Sequence, residues 1–150
     1  EERLDALLDS WHKDKIGNSA VVMLGAGASV SAGFPDFRDK ESGVYAQIQK
    51  KYGMLKPENI FTSEEYEKNP GPLCLWMKEF LEARGKAEPT VTHSFIQLLE
   101  KKGCLLRCYT QNIDGLELAA GLPRERVVMA HGSMSNPSCV SCGTRCMSYL

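Results

Sequence analysis

The chain has 150 residues, enough for one domain with a sizeable core. Its 18 Lys and Arg residues nearly balance its 19 Asp and Glu residues, so the formal net charge is only -1 and no basic tract is present. Nothing in this composition indicates a nucleic acid or an anionic membrane as a partner. No apolar run approaches the ~18 residues of a membrane span, and the charged amino terminus lacks the apolar core of a signal peptide. We therefore expect a soluble, intracellular protein, cytoplasmic or nuclear.

Residues 1–16 are predicted to form an amphipathic helix. Apolar side chains recur at helical spacing on one face, namely Leu4, Leu7, Leu8 and Trp11. Gly17 supplies a stop signal. We expect this helix to pack on a sheet, and we assign it no chemistry.

A strand followed by a glycine turn comes next. Residues 21–24 form a short apolar run, which predicts a parallel strand buried on both faces. At Gly25 and Gly27 the backbone can turn tightly and approach a bound group closely. The small residues that follow, among them Ser29, predict a short helix whose N–H groups would hold a pyrophosphate. An ordinary strand–turn–helix corner stays equally open on the glycines alone, because the usual dinucleotide fingerprint has a third glycine where this chain has Val30.

Residues 43–89 are predicted to form a cofactor loop followed by a small helical module. The segment directly after the glycine turn is well placed to close over a cofactor, although a plain surface helix fits its composition as well. Two helices are predicted beyond it. One begins at Thr62 and ends before Asn69, and the other spans residues 72–84.

Strands and helices then alternate. A helix that opens at Thr90 and ends at Gly103 is followed by a strand at residues 105–109 and another at 126–130. The inward side chains of the helix are predicted to be Phe95, Leu98 and Leu99. Three cysteines in apolar segments, Cys74, Cys104 and Cys108, are predicted to be buried free thiols. This alternation predicts an α/β fold with a doubly wound parallel sheet, whose ligands bind at the carboxyl ends of the strands.

Polar residues follow two of these strands. Gln111, Asn112 and Asp114 place two amides and a carboxylate at one strand end, a set that can bind ribose hydroxyls and a carboxamide. Helix capping by Asp114 is the competing interpretation. His131 follows the third strand, where a general base would project, although a lone histidine is more often structural or solvated.

Cys139 and Cys142 have the spacing of half a zinc site. Tetrahedral zinc needs two further ligands, and Cys146 is interpreted as a spare thiol.

Four ordered blocks of the sequence resemble the sirtuins, the NAD-dependent protein lysine deacylases. They are Gly25-Ala26-Gly27-Ala28-Ser29 with Gly33-Phe34-Pro35-Asp36-Phe37-Arg38, then Thr110-Gln111-Asn112-Ile113-Asp114-Gly115-Leu116-Glu117, then Ala130-His131-Gly132-Ser133, and Cys139-x-x-Cys142. Only Phe34, where the family usually has isoleucine, departs noticeably.

The resemblance implies a Rossmann-like domain formed by residues 1–42 and 90–133, a cofactor loop and inserted helical module at 43–89, and the first half of a zinc module at 134–150. It implies transfer of an acyl group from protein lysine to NAD, which yields free lysine, nicotinamide and an acyl-ADP-ribose. The implied catalytic residues are His131, as the base that deprotonates a ribose hydroxyl, and Asn112. The implied NAD-binding residues are Gly25, Ala26, Gly27, Ser29, Pro35, Asp36, Phe37, Arg38, Tyr45, Gln111, Asn112, Ile113 and Asp114, and the implied ligands of a structural zinc ion are Cys139 and Cys142.

Three other functions stay open: ADP-ribosyl transfer to protein, hydride transfer by a dehydrogenase, and a non-enzymatic, zinc-stapled binding fragment. The resemblance reaches only the first part of the family's pattern, because the second cysteine pair and the later strands do not appear. We therefore expect residues 1–150 alone to be inactive and to bind zinc weakly.

Overall fold

The computed structural model describes residue 6, residues 20–134, residues 138–139 and residues 141–145. Its strands are β1 (Ala20–Leu24), β2 (Leu105–Thr110) and β3 (Val127–Met129), and its α-helices are α1 (Val44–Tyr52), α2 (Ser63–Lys68), α3 (Gly71–Arg84), α4 (Val91–Lys101) and α5 (Leu116–Ala119). Short 3-10 helices cover Ala26–Ala32, Pro57–Phe61 and Arg124–Arg126. The helix predicted for residues 1–16 lies outside the described residues apart from Ala6, which is helical.

The three strands form one parallel sheet in the order β1-β2-β3. Met23 lies opposite Tyr109, and Thr110 lies opposite Met129. A parallel sheet requires crossover connections, and helices supply them along the chain. The predicted α/β class is confirmed, and the strand boundaries agree with the prediction to within one residue.

The chain divides into two compact units: unit 1 comprises Glu1–Ala28 and Pro89–Leu150, and unit 2 comprises Ser29–Glu88. The core of unit 1 joins one face of the sheet to α4 and the segment after α5. Its buried members are Leu24, Ile96, Leu99, Cys104, Leu105, Cys108, Leu122 and Val127.

Two packing predictions for unit 1 are wrong. In β1, Val21 is 57% exposed and Met23 is 69% exposed, so this strand is buried on one face and not on both. In α4, Phe95 is exposed, and the buried position on its turn is Ile96. The helix turns its Ile96–Leu99 face to the sheet, and Phe95 falls beside that face.

Unit 2 is helical and has its own small core of Val44, Ile48 and Ile60. Thr62 caps α2, since its Oγ1 accepts a hydrogen bond from Glu65 N–H at 3.2 Å. An aromatic chain packs beside this core. It contains Phe34, Phe37, Tyr45, Phe61, Trp76 and Phe80, with neighbouring ring centroids 4.8 to 6.4 Å apart.

The cysteine prediction holds for two of three residues. Cys104 and Cys108 are buried, whereas Cys74 is exposed. Helix α3 turns Leu73 and Trp76 toward the core of unit 2, and Cys74 points away from that face. Among the helices of the described residues, none is long and apolar enough to span a membrane.

Candidate active site at the carboxyl ends of the strands

The glycine turn follows β1 directly. Gly25 C=O accepts a hydrogen bond from Ala28 N–H at 3.0 Å, which closes the first turn of the 3-10 helix at Ala26–Ala32. The short helix predicted here is thus a 3-10 helix. A Cβ atom added to Gly25 or Gly27 would meet no heavy atom of the described residues within 4 Å, and neither residue has a positive φ. Among those residues, neither packing nor backbone conformation therefore requires glycine at these positions, so there is open space where a ligand could approach the backbone.

The amides after β2 contact this turn. Asn112 is buried, and its Nδ2 donates to Gly25 C=O at 3.1 Å. Gln111 N–H donates to Leu24 C=O at 3.0 Å, which extends the pairing between β1 and β2 by one residue, while the Gln111 side chain is exposed. The two motifs that the sequence placed at separate strand ends are hydrogen-bonded to each other within unit 1.

Asp114 is buried and lies immediately before Gly115, the N-cap residue of α5. Its Oδ1 accepts a hydrogen bond from Leu116 N–H at 2.9 Å, at the start of α5. Asp114 thus accepts from a first-turn N–H group, as the capping interpretation requires, although the N-cap position itself is occupied by Gly115. A carboxylate has a second oxygen and several acceptor positions, so capping does not by itself exclude a ligand contact. Ile113, between the two polar residues, is half-buried.

His131 lies two residues beyond β3 and is exposed. The chain leading to it is anchored, because Ala130 N–H donates to Thr110 C=O at 2.8 Å. In a parallel sheet all carboxyl ends lie at one edge. Gly25, Asn112 and His131 accordingly follow three adjacent strands at the same edge of the sheet, as the sequence predicted.

The remaining predicted cofactor residues belong to unit 2. Asp36 Oδ1 accepts a hydrogen bond from Arg38 N–H at 2.7 Å, and Asp36 C=O accepts one from Val44 N–H at 3.0 Å. Tyr45 N–H donates to Phe37 C=O at 3.2 Å. The segment is thus a folded turn that leads into α1. Within it the Arg38 side chain is exposed and Pro35 is half-buried, while Ser29, at the start of unit 2, is buried.

Cys139 and Cys142 lie on one tight turn. Gly143 N–H donates to Cys139 C=O and Cys139 N–H donates to Thr144 C=O, both at 2.9 Å, and Gly143 has a φ of 69°. Hydrogen bonds from Thr144 and then from Cys139 lower the pKa of the Cys142 thiol. Two cysteines on one turn, with the Cys142 thiol lowered in pKa, suit a zinc ion, so these residues fit half of a tetrahedral site. Cys146 lies outside the described residues.

Sequence reasoning missed a buried polar cluster behind the strand ends, formed by His93, Asp114 and Glu117. One ring nitrogen of His93 and one carboxylate oxygen from each acid lie within 4.8 Å of one another. Burial, followed by the nearby Glu117 carboxylate, raises the pKa of the Cys108 thiol in β2 to about 11. The available signal was Glu117 between apolar Leu116 and Leu118 in a short helix.

Comparison with known proteins gives a consistent answer. The Sir2 family profile matches residues 25–149. The NAD-dependent deacetylase sir2D of Dictyostelium discoideum is 50% identical over 122 residues, which cover 81% of this chain and 22% of that protein. The NAD-dependent protein deacetylase sirtuin-2 of Danio rerio is 46% identical over 145 residues, covering 91% of this chain and 38% of that protein.

The mouse NAD-dependent protein deacetylase sirtuin-3 is 46% identical over 122 residues, covering 81% of this chain and 36% of that protein. The chain therefore spans between 22% and 38% of the length of these curated relatives. Since the profile covers most of the chain and includes the glycine turn, the strand-end motifs and the cysteine turn, the chain belongs to the Sir2 family.

Proposed function

We propose that the protein containing this chain removes acyl groups from protein lysine with NAD as co-substrate. One observation carries the proposal: Asn112 Nδ2 donates to Gly25 C=O, which joins the amide motif to a glycine turn whose glycines are not required by the packing of the described residues. An open backbone turn suits a pyrophosphate, and an adjacent amide and carboxylate suit a carboxamide. The names of the relatives, NAD-dependent deacetylases, support the same reaction.

The proposed roles are those that the resemblance to the sirtuins implies. Phosphate would be held by Gly25, Ala26, Gly27 and Ser29, Pro35 would contribute to cofactor binding, and Arg38 would help to order the loop and the phosphates. The nicotinamide end and its ribose would be recognised by Asp36, Gln111, Asn112, Ile113 and Asp114, with Phe37 and Tyr45 supplying aromatic surface. His131 is the proposed general base, because it follows β3 at the same end of the sheet as Gly25 and Asn112 and its side chain is exposed.

The reaction is tested by comparing an acetyl-lysine peptide with the same peptide unacetylated. With NAD present, the complete protein should release nicotinamide and free lysine in equal amounts from the acetylated peptide. It should release little nicotinamide with the unacetylated one. Nicotinamide release that does not depend on the acyl group would contradict lysine deacylation.

Substitution of Gly27 by alanine should weaken NAD binding while leaving the stability of the fold nearly unchanged. Because the new methyl group meets no atom within 4 Å in the part of the chain that the structure describes, Gly27→Ala should change the free energy of unfolding by less than ~1 kcal/mol. The methyl group would occupy space that the pyrophosphate needs, so we expect NAD affinity to fall at least ~10-fold, as in other overpacked sites. Calorimetric titration with NAD and thermal unfolding measure the two effects.

The control for this variant is Gly53→Ala, since Gly53 has a φ of 68° and lies at the end of α1. Its strained backbone should lower the melting temperature and leave NAD affinity nearly unchanged. A Gly27→Ala protein that binds NAD normally would contradict the proposed phosphate contact.

We also propose that residues 43–89 form the inserted helical module and that residues 134–150 begin a structural zinc module. The tight turn that brings Cys139 and Cys142 together supports the second statement. A bound zinc ion would link this turn to a second pair of ligands and would contribute folding free energy directly.

The zinc proposal predicts that Cys142→Ser removes most of the bound zinc from the complete protein. A structural site that loses one of four ligands becomes open, so the melting temperature should also fall. Elemental analysis gives the zinc content. Cys74→Ser is the matched control, because Cys74 is an exposed thiol in unit 2. Equal zinc content in the two variants would contradict the assignment.

A further inference from the structure

The buried cluster of His93, Asp114 and Glu117 joins two parts of unit 1 (Glu1–Ala28 and Pro89–Leu150). His93 lies in the first turn of α4. Asp114 lies two residues before α5, and Glu117 lies within that helix. All three residues are at least nine-tenths buried, and His93 has no exposed surface. Two carboxylates that approach each other away from water repel each other, and a hydrogen-bond donor or a cation beside them reduces that repulsion.

Thr90 determines which nitrogen of His93 carries the proton. Thr90 N–H donates to His93 Nδ1 at 3.2 Å, and a backbone N–H can only donate. Nδ1 must therefore offer its lone pair, and in the neutral ring the proton resides on Nε2. Burial lowers the pKa of His93 and so favours this neutral form. The Asp114 carboxylate has the opposite and smaller effect.

The same threonine connects His93 to the glycine turn. Thr90 Oγ1 lies 2.9 Å from Ala28 C=O and 2.8 Å from His93 Nδ1, and both of these atoms can accept its proton. Ala28 is adjacent to Gly27. The start of α4 is thereby fixed between the glycine turn and the carboxylates behind the strand ends.

Because Nδ1 accepts from Thr90, Nε2 is the ring nitrogen that can still act as a donor toward the cluster. It is buried and has no hydrogen-bond partner among the residues that the structure describes. An Nε2–H group is a donor, and a carboxylate is an acceptor that gains most from a donor where water is excluded. A protonated Nε2 cannot bind a metal ion, so the Thr90 contact favours a proton in this cluster over a cation.

We propose that His93 is a positioning residue for Asp114: its Nε2–H supplies the buried carboxylates of Asp114 and Glu117 with a donor and holds Asp114 in the orientation that the nicotinamide end of NAD requires. This inference rests on the proposed function, since it takes Asp114 as a residue that recognises the carboxamide. It predicts that a change at His93 alters nicotinamide recognition although His93 itself contacts no ligand.

Two variants of the complete protein test the roles of the two imidazole nitrogens, Nδ1 and Nε2, separately. The Oδ1 atom of His93→Asn replaces Nδ1 as the acceptor for Thr90 but leaves nothing at the Nε2 position, whereas His93→Gln places an amide donor there. Removing the Nε2–H donor from beside the carboxylates should weaken nicotinamide inhibition by about tenfold in His93→Asn. We expect His93→Gln to stay within about threefold of the parent protein, and ADP-ribose, which lacks the nicotinamide, to bind both variants with little change.

A purely structural role for His93 makes a different prediction, namely equal losses for both ligands and for both variants. Ile96→Val is the matched control, because Ile96 is buried on the next turn of α4 and contributes only to the apolar core. It should lower the melting temperature and weaken both ligands equally or not at all.

Nitrogen-15 NMR of histidine-labelled protein tests the proton assignment without any ligand. We expect Nε2 of His93 to be protonated, and an unprotonated Nε2 would overturn the inference. Failure of the proposed function is recognised separately: if Asp114→Ala leaves nicotinamide inhibition intact, Asp114 does not recognise the carboxamide and the inference falls with it. If Asp114→Ala weakens inhibition but His93→Asn does not, only the role of His93 is wrong.

Discussion

Replacing His131 with alanine should reduce deacylation by at least the ~10²-fold expected when a positioned acid–base group is lost. His131 follows β3 at the sheet edge where Gly25 and Asn112 also lie, and its side chain is exposed. It makes no packing contribution that the fold depends on, so NAD should still bind and the melting temperature should stay close to that of the parent protein. The measurements are steady-state deacylation of an acetyl-lysine peptide, NAD titration and thermal unfolding, all on the complete protein.

His131→Gln distinguishes proton transfer from hydrogen bonding. Glutamine can donate and accept hydrogen bonds but does not titrate near neutral pH, so it should be nearly as inactive as alanine. Turnover within a few-fold of the parent protein in either variant would remove His131 from the role of general base.

The second large effect is expected at the carboxamide end of NAD. Asn112→Ala and Asp114→Ala should weaken nicotinamide inhibition and nicotinamide exchange at least ~10-fold, because each substitution leaves polar groups of the ligand unpaired in a desolvated site. ADP-ribose lacks the nicotinamide and should bind with a much smaller loss. Comparing two ligands on the same variant cancels the general effect of removing a buried side chain.

Both residues also stabilise the fold, and one further variant separates that contribution. Asp114→Asn keeps an oxygen that can accept the Leu116 N–H group but loses the negative charge. If Asp114 recognises the carboxamide through its charge, Asp114→Asn should weaken nicotinamide binding while the melting temperature falls less than in Asp114→Ala. Equal losses for nicotinamide and ADP-ribose in all three variants would mean that these residues only support the loop.

Local patterns were sufficient to predict the strands and their polar ends. The apolar runs of β1 and β2 stop at Gly25 and Gln111, and a parallel sheet necessarily brings those ends to one edge. The contact between Asn112 and Gly25 follows from that geometry, although its donor and acceptor atoms do not. The family resemblance, confirmed by the profile match, rests on these same local blocks.

Burial depends on which neighbours cover a segment, and here local patterns failed. Cys74 has the surroundings of a core residue in sequence, yet α3 rotates it away from the core of unit 2. The apolar run that contains Val21 and Met23 predicts a strand buried on both faces, but the described residues cover only the other face of β1.

The cluster around His93 shows the same limit for the candidate site. Thr90 and His93 have capping spacing, and Asp114 and Glu117 are three residues apart, so each pair is local. The contact between the two pairs depends on the packing of unit 1, which cannot be predicted from any one short segment of the sequence.

The reaction that we propose for the complete protein is transfer of an acyl group from protein lysine to NAD. NAD labelled in its ADP-ribose portion, incubated with the complete protein and an acetylated protein substrate, tests it most directly. We predict that the label appears in a small acyl-ADP-ribose product, in amounts equal to the lysine that is freed. Label that remains covalently attached to protein would instead identify ADP-ribosyl transfer and would contradict the claim.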